Sequence, residues 1–183
     1  EQKTLKNIRS ALANHIGYVP EDRLTEGLFM ERTLTDNISA SILDRKKKKN
    51  GMLDFKGMRE EAAQRISELN IKAAGTEVQA GTFSGGNQQR VVIAKWLTRN
   101  CDILIFDEPT RGIDVGAKNE IYKLMNQLAE QGKAIIMISS EMTEILRMSD
   151  RIVVMCEGKK TGELDISEAT QENIMNMATR EIE

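Results

Sequence analysis

The segment TFSGGNQQR, residues 82–90, combines residue types that can bind an anion. A serine before a helix can accept a hydrogen bond from an early backbone N–H group, and Ser84 precedes a helical pattern. Gly85 and Gly86 would let a bulky ligand approach the remaining N–H groups, because glycine carries no side chain. These N–H groups and the helix dipole together favour phosphate. An ordinary capped helix after a turn is the alternative interpretation.

A second segment, ILIFDEPT at residues 103–110, places two acidic residues directly after an apolar run. Carboxylates beside a buried strand are costly unless they meet a cation or water. Asp107 can hold Mg²⁺, directly or through water, and Glu108 can orient or deprotonate an attacking water molecule. An acidic cap on the following loop would fit the same residues, so this segment alone leaves both interpretations open.

The elements around these segments predict an α/β fold with a parallel sheet. Continuous apolar strands alternate with helices; the strands span residues 103–106, 134–138 and 151–155, and the helices span residues 119–128 and 141–148. This alternation is typical of a parallel sheet with helices on both faces. A further short strand is predicted at residues 16–19. Ligands of such folds bind beyond the carboxyl ends of the strands, where Asp107 and Glu108 lie.

Several other segments have the spacing of helices or strands. A short helix is predicted over residues 35–43, with Thr35 or Asp36 as its cap, and an amphipathic helix over residues 58–69. The remaining predictions are a helix that begins at Ser84, a hairpin strand at residues 159–164 and a closing helix at residues 167–177.

Composition excludes some classes of protein. The 183 residues are 40% hydrophobic and 30% charged, which fits one globular domain. A net charge of -2 gives no general attraction to nucleic acid, and no apolar run approaches the roughly 18 residues of a membrane span, so any membrane role would be peripheral. Cys101 and Cys156 lack metal-site spacing and fit reduced thiols in the cytosol. The basic run 45–49 fits a solvated loop, with lipid head groups or an acidic partner as the alternative.

Taken together, IFDEPTRGID and the upstream TFSGGNQQR resemble the ATPase domain of ABC transporters. The segments GYVPEDR, FSGGNQQ, DEPTRGIDVGAK, ISSEM and SDRIVVM are similar to the carboxyl-terminal ATPase half of monosaccharide importers of the ribose and galactose type. The resemblance implies a P-loop NTPase-like α/β fold with a mostly parallel sheet and a helical signature subdomain. It implies a helical subdomain at about residues 22–98, a Walker B core at about 99–166 and a carboxyl-terminal helix at 167–183.

The resemblance also implies roles for individual residues. In this family two ATPase domains meet head to tail, and the signature segment of each contacts the ATP held by the other. The implied residues are Ser84, Gly85, Gly86, Asn87 and Gln88 for ATP binding in trans, Asp114 for the domain interface, Asp107 and Glu21 for Mg²⁺, and Glu108 and Ser140 for catalysis.

Three of these positions depart from the usual family pattern. Glu21 stands where a glutamine is usual and can still meet a cation, while Asn87 replaces a glutamine as in other sugar importers. Ser140 stands where most relatives have a histidine. A hydroxyl can hydrogen-bond a phosphate but cannot carry a positive charge near neutral pH. The nucleotide site on this chain's own strand ends is therefore expected to be weak.

The function implied by the resemblance is that of an ATP-binding subunit of a sugar importer, using ATP and Mg²⁺. Its partners would be an amino-terminal ATPase half or a second ATPase chain, membrane permease subunits and, indirectly, a sugar-binding protein, with no nucleic acid. It would lie at the cytoplasmic face of the cell membrane. One alternative is a noncatalytic regulatory half that only completes the partner's site. Another is a relative that acts on ribosomes or DNA, which would need a larger basic surface.

The sequence contains no GxxxxGK[ST] motif, which would supply the Gly-rich phosphate loop and its lysine. Because the chain also begins with Glu1, it is expected to be a carboxyl-terminal fragment of a longer protein. We expect the purified chain to bind ATP weakly and to hydrolyse none. Release of inorganic phosphate from ATP measures this, and robust turnover by the pure chain would contradict the expectation.

Overall fold

The computed structural model describes residues 4–179. The chain divides into two compact units, Glu1–Ile138 and Ser139–Glu183, and each is described by itself. The unit boundary lies inside the predicted segment 99–166, and the subdomain limits given above stay predictions. Glu1 and the last four residues of the predicted segment 167–183 lie outside the described residues.

Regular elements follow one another closely in both units. The helices are α1 (Ile8–Ala13), α2 (Leu34–Ser39), α3 (Phe55–Glu68), α4 (Gly85–Thr98), α5 (Val115–Glu130), α6 (Met142–Met148) and α7 (Gln171–Ala178). The strands are β1 (Ile16–Val19), β2 (Ile103–Asp107), β3 (Ala134–Ile138), β4 (Arg151–Cys156) and β5 (Lys159–Asp165). A π-helical turn spans Arg23–Gly27, and 3₁₀ turns span Ala40–Ile42, Ala80–Thr82 and Ile166–Glu168. None of the helices between residues 4 and 179 has both the length and the apolar character needed to cross a membrane.

The first unit is built on a parallel sheet with the order β1-β2-β3. Ile103 in the central strand lies opposite Ile16 in β1 and Ala134 in β3. The predicted parallel sheet is thus confirmed for the strands at residues 103–106 and 134–138, and the short strand predicted at residues 16–19 is confirmed and joins the same sheet. Because the strands are parallel and in this register, their carboxyl ends meet at one edge of the sheet.

The two faces of this sheet differ in burial. Leu104 and Phe106 point to a face where both are fully buried. The alternate residues Tyr18, Ile136 and Ile138 are 41%, 51% and 48% exposed. Side chains alternate between the faces of a strand, so the buried core lies on one face and the other presents apolar side chains to solvent.

Helices α2, α3 and α4 contact one another and form the helical part of the first unit. In α4, four consecutive residues, Val91–Ala94, are fully buried, as the apolar pattern there indicates. Met58 and Ala62 in α3 are buried as predicted for an amphipathic helix. The helix predicted over residues 58–69 nevertheless begins earlier, at Phe55.

Capping residues explain two helix starts that differ from the predictions. The helix predicted at residues 35–43 begins at Leu34, and its cap is Thr33 rather than Thr35 or Asp36, because the Thr33 hydroxyl accepts a hydrogen bond from Asp36 N–H at 3.1 Å. The helix predicted at residues 119–128 begins at Val115, one residue after its own cap, Asp114. Short polar side chains are favoured at the cap position, where the backbone is extended, so Thr33 and Asp114 set where these helices begin.

In the second unit, β4 and β5 form a two-stranded antiparallel sheet. The predicted hairpin strand is confirmed, but the prediction that residues 151–155 join the parallel sheet is wrong. Glu157 and Gly158 both have positive φ, 48° and 77°, and such a two-residue turn pairs β4 directly with the strand that follows it. Ile152 and Val154 pack with Ile174 of α7 in a small core.

Two helices of the second unit begin later than predicted. The helix expected from Glu141 begins at Met142, with Glu141 as its cap residue. The helix expected from Ser167 begins at Gln171, because Asp165 accepts a hydrogen bond from Ser167 N–H and starts a separate 3₁₀ turn there. Thr170 then caps α7 by accepting a hydrogen bond from Asn173 N–H at 3.1 Å.

The unequal faces of the sheet lead to a stability prediction. Leu104→Ala should lower the free energy of unfolding by about 2 to 5 kcal/mol, because it leaves a cavity at a fully buried site. The matched control is Ile136→Ala on the neighbouring strand, 51% exposed, with an expected loss below about 1 kcal/mol. Urea denaturation followed by circular dichroism measures both losses. Equal losses would contradict this assignment of the faces.

Candidate functional site

The predicted metal ligands follow neighbouring strands of the parallel sheet. Asp107 ends β2, and Glu21 follows Pro20 at the end of β1. The Tyr18 hydroxyl donates a hydrogen bond to Oδ2 of Asp107 at 2.7 Å, and Glu21 forms an ion pair with Arg111. Both carboxylates therefore have a partner from the chain itself, a feature that local sequence patterns did not indicate.

Asp107 influences the protonation of Tyr18. The hydrogen bond to the Asp107 carboxylate, together with partial burial and the nearby negative charge, raises the pKa of Tyr18 to about 12. The phenol is consequently a neutral donor across the physiological pH range. It can hold the Asp107 carboxylate in one orientation without neutralising its charge.

Glu108 has a constrained backbone. Its φ is 44°, in the left-handed region that residues other than glycine seldom adopt. Its N–H donates to the Ile138 carbonyl at 2.9 Å, and its own carbonyl accepts from Arg111 N–H at 3.1 Å. The residue after Asp107 is thus held between the ends of β2 and β3. Strained backbone of this kind is enriched at functional sites, and the sequence pattern did not indicate it.

A small cavity of about 300 Å³ lies beside the Glu21–Arg111 ion pair; it is lined by Glu21, Asp22, Arg23, Leu24 and Arg111. Asp107 and Glu108 are not among the lining residues. Residues 4–179 contain no cluster of three or more His, Cys, Asp or Glu side chains that could hold a metal ion alone. Mg²⁺ commonly takes only one or two carboxylates from a protein, with phosphate oxygens and water as its other ligands.

The signature segment, residues 84–88, starts α4 as predicted, but Ser84 is not a side-chain cap. It occupies the cap position and its hydroxyl accepts no hydrogen bond from the helix N–H groups. The Asn87 amide instead donates to the Ser84 hydroxyl at 3.4 Å. The predicted capping bond is therefore wrong, and the N–H groups of the first turn are not satisfied by Ser84.

Both glycines of this segment are explained by contacts within the chain. A Cβ at position 85 would lie 2.7 Å from Nη2 of Arg23, and one at position 86 would lie 2.8 Å from the Ala117 Cβ. The Ala117 Cβ is fixed to the backbone, so position 86 needs glycine even without a ligand, whereas a side chain at position 85 would have to displace the flexible guanidinium end of Arg23. Access for a ligand, the reason predicted from the sequence, stays a prediction.

Gln88 points inward rather than toward solvent. Its side chain is 6% exposed, donates to the Ala80 carbonyl at 3.5 Å and accepts from Nε of Arg23 at 3.4 Å. Asn87 accepts a hydrogen bond from Lys72 N–H at 3.3 Å. The structure thus gives both amides internal partners, and their predicted contact with a nucleotide stays a prediction.

Asp114 lies at the surface at the start of α5. Its Oδ1 accepts a hydrogen bond from Ala117 N–H at 2.9 Å, which caps the helix. Gly112, two residues earlier, has a φ of 68° and turns the loop. The predicted interface role of Asp114 stays a prediction, and the cap gives this aspartate a second function within the chain.

Ser140 belongs to the second unit, where it is exposed next to the cap residue of α6. Its neighbour Ser139 carries the polar contacts described for this turn. The Ser139 hydroxyl donates to the buried carboxylate of Glu144 and accepts from Glu141 N–H at 3.0 Å. The predicted catalytic role of Ser140 stays a prediction. The bond from Ser139 to Glu144, five residues further along the chain, is a contact that the sequence pattern did not indicate.

A protein-family model for ABC transporters matches residues 1–111. The chain belongs to the ABC transporter family. It is 49% identical to the ribose import ATP-binding protein RbsA of Bacillus subtilis (strain 168) over 179 residues, which are 98% of this chain and 36% of that protein. RbsA of Lacticaseibacillus paracasei is likewise 49% identical over 179 residues, again 98% of this chain and 36% of that protein.

The chain thus spans about a third of the length of the curated relatives it matches. The fold has solved counterparts as well. CbiO1 from Clostridium perfringens, part of the ABC transporter complex CbiONQ, superimposes with a TM-score of 0.70 at 23% identity, over 92% of this chain and 65% of that chain. At this identity the likeness concerns the fold, and it agrees with the ABC ATPase fold expected from the sequence.

The Tyr18–Asp107 hydrogen bond leads to a pH prediction. Asp107→Asn should lower the pKa of Tyr18 from about 12 toward the ordinary 10.0, because the negative acceptor is lost. Ultraviolet absorbance of tyrosinate follows the titration, and Tyr122→Phe assigns the second of the two tyrosines. Since folding raises this pKa, the bond's contribution to stability is complete below pH 10.0 and is lost as the pH rises through about 12. An unchanged Tyr18 titration in Asp107→Asn would contradict the hydrogen bond.

Proposed function

We propose that this chain is an ATP-binding half of an ABC importer for a monosaccharide, which couples the binding and hydrolysis of ATP to sugar uptake. The observation that carries the proposal is the 49% identity to ribose import ATP-binding proteins over 98% of the chain. The motifs at residues 84–88 and 107–108 lie within that match. The identity of the sugar is left open, because in this family the ATPase does not contact it.

The start of α4 supports a role in binding phosphate. This helix has 14 residues, and its cap residue Ser84 leaves first-turn N–H groups without a side-chain partner. Together with the positive end of the helix dipole, such groups favour a negative charge. We propose that Ser84, Gly85 and Gly86 contact the γ-phosphate of an ATP molecule held mainly by a partner ATPase domain, with Asp114 at the interface.

Asp107 and Glu21 would hold Mg²⁺ at the carboxyl ends of β2 and β1. Two carboxylates at adjacent strand ends fit an ion whose other ligands are phosphate oxygens and water. When bound, Mg²⁺ neutralises charge on the phosphates. Tyr18 can keep its hydrogen bond to Asp107 in that state, whereas Glu21 would have to leave Arg111. Breaking this ion pair should cost little free energy, because its side chains are 42% and 67% exposed and exposed ion pairs are screened by water and salt.

Glu108 would act on the attacking water molecule. Its carboxylate follows the metal-binding position directly, and its backbone is fixed by hydrogen bonds to Ile138 and Arg111. A base held in one geometry avoids the cost of reorganisation when the proton is transferred. Ser140 would hydrogen-bond the phosphate in place of the histidine usual in the family.

The proposed partners follow from the same identity. They are an amino-terminal ATPase half or a second ATPase chain, membrane permease subunits and, indirectly, a sugar-binding protein. The proposed location is peripheral, at the cytoplasmic face of the cell membrane. The mechanism needs two ATPase domains, because the phosphate cradle and the signature segment would come from different domains.

Glu108→Gln tests whether this half hydrolyses ATP. The host is Bacillus subtilis RbsA with its matching segment replaced by this chain, assayed for ATP hydrolysis and for growth on ribose. Loss of a general base should lower the rate of hydrolysis at this site by about a hundredfold or more. Glu130→Gln, at an exposed position near the end of α5, is the matched control and should leave the rate unchanged.

Unchanged hydrolysis and growth with Glu108→Gln would favour the noncatalytic regulatory half over the catalytic one. In that case Ser84→Ala should still impair growth, since the signature segment would serve the partner's site. A hybrid that retains full growth with both substitutions would contradict the proposed function in both forms.

A further inference from the structure

Arg23 connects three segments that are far apart in the sequence. Its backbone follows β1, and its Nη1 donates to the Arg111 carbonyl at 3.0 Å. Nη2 donates to the Gly112 carbonyl at 3.4 Å, and Nε donates to Oε1 of Gln88 at 3.4 Å. One guanidinium group thereby bonds to the loop after β2 and to the first turns of α4.

Close packing fits this guanidinium to its surroundings. A Cβ at position 85 would lie 2.7 Å from Nη2 of Arg23 and 3.4 Å from the Gly112 carbonyl oxygen. The start of α4 and the loop at Gly112 therefore lie close together where the Arg23 guanidinium group binds. The left-handed φ of 68° at Gly112 is part of the turn that presents this carbonyl.

The contacts need arginine rather than any positive charge. Its planar group carries five N–H donors in fixed directions, and here three nitrogens serve three acceptors. A lysine ammonium group has one nitrogen and cannot span acceptors on two separate segments with the same geometry.

A second contact joins the loop after β1 to the loop after β2, and it is weaker than the Arg23 contacts. Glu21, two residues before Arg23, forms an ion pair with Arg111, but those side chains are 42% and 67% exposed. Exposed ion pairs contribute little, because water and salt screen them. The side chain of Gln88, by contrast, is 6% exposed, so the contact of Arg23 with α4 is shielded on at least one side.

We propose that Arg23 is a positioning residue that sets the start of α4 in register with the loop Arg111–Asp114. Its consequence for catalysis rests on the proposed function, in which the signature segment and Asp114 face the same partner domain. Arg23 itself would not touch the nucleotide. It would hold the start of α4 and the loop Arg111–Asp114 at the spacing that the partner's ATP requires. It would also connect both segments to the loop that carries Glu21.

Amide hydrogen exchange on the 183-residue chain tests the positioning directly. Arg23→Met should speed exchange about fivefold or more at the hydrogen-bonded amides of Gln88, Ile113 and Ala117, because opening of these two segments no longer requires the Arg23 hydrogen bonds to break. Exchange in β2 should stay unchanged. Arg23→Lys should behave nearly as Arg23→Met does, since lysine keeps the positive charge but lacks the planar guanidinium group with its several N–H donors. Arg32→Met, at an exposed arginine nine residues further along, is the matched control.

A uniform increase of exchange, β2 included, would mean that Arg23 merely stabilises the whole unit and would overturn the proposal. Unchanged exchange at both segments, or full rescue by Arg23→Lys, would overturn it as well. The RbsA hybrid then measures the consequence for hydrolysis: Arg23→Lys should lower kcat about tenfold and change KM for ATP less than about twofold.

The two proposals fail in different ways. An unsubstituted hybrid without ATPase activity would contradict the proposed function, and the exchange measurement would still decide whether Arg23 positions the two segments. An active hybrid whose kcat is unaffected by Arg23→Lys, despite faster local exchange, would overturn the catalytic consequence alone.

Discussion

The parallel pairing of β1 with β2 is the constraint on which the candidate site depends. Val19 lies opposite Phe106, so the residues that follow each strand emerge at the same edge of the sheet. This register places Glu21 and Asp107 at the same edge of the sheet. A shift by one residue would turn Asp107 toward the buried face, where an unpaired carboxylate would be strongly unfavourable. The burial of Leu104 and Phe106 opposes that shift.

At this edge, the acidic groups are already engaged within the chain. Tyr18 holds Asp107 by a neutral hydrogen bond, Arg111 pairs with Glu21, and Asp114 caps α5. The three contacts differ in how they would respond to a cation. A carboxylate oxygen that accepts from a hydroxyl can still bind a metal through its other lone pairs, whereas an arginine competes with the metal for the same charge. A cation can therefore bind Asp107 without breaking its hydrogen bond to Tyr18, whereas a cation that binds Glu21 requires Arg111 to move away.

Local patterns predicted much of this arrangement. Continuous apolar strands, the acidic pair after one of them and the serine before the glycines depend on neighbours in the sequence, and such signals survive in a single chain. The partners of these residues could not be predicted in the same way. Tyr18 and Asp107 are 89 residues apart in the sequence, and Arg23 and Gln88 are 65 residues apart. Only the folding of the chain brings the members of each pair together.

The pairing predicted for residues 151–155 was wrong for the same reason, because the partner of a strand is not visible in its own sequence. The strand at residues 151–155 has the apolar composition of a buried parallel strand. Its side chains pack on Ile174 instead, and the tight turn at Glu157 and Gly158 pairs it with the next strand. Composition indicated a strand correctly, but the partner of a strand is decided by turn geometry and by the surface available to cover it.

The glycines at positions 85 and 86 illustrate why a motif alone cannot separate structure from function. Position 86 needs glycine because of Ala117, whether or not a phosphate approaches, and a side chain at position 85 would have to displace the Arg23 guanidinium group. A substitution at either glycine would change contacts inside the chain, so a loss of function at these positions does not identify a ligand contact. Ser84 is the more informative position, because its hydroxyl does not cap the helix and accepts only a long bond from Asn87 in this structure. Removing that hydroxyl perturbs little internal structure, so a loss of function there would point to the ligand itself.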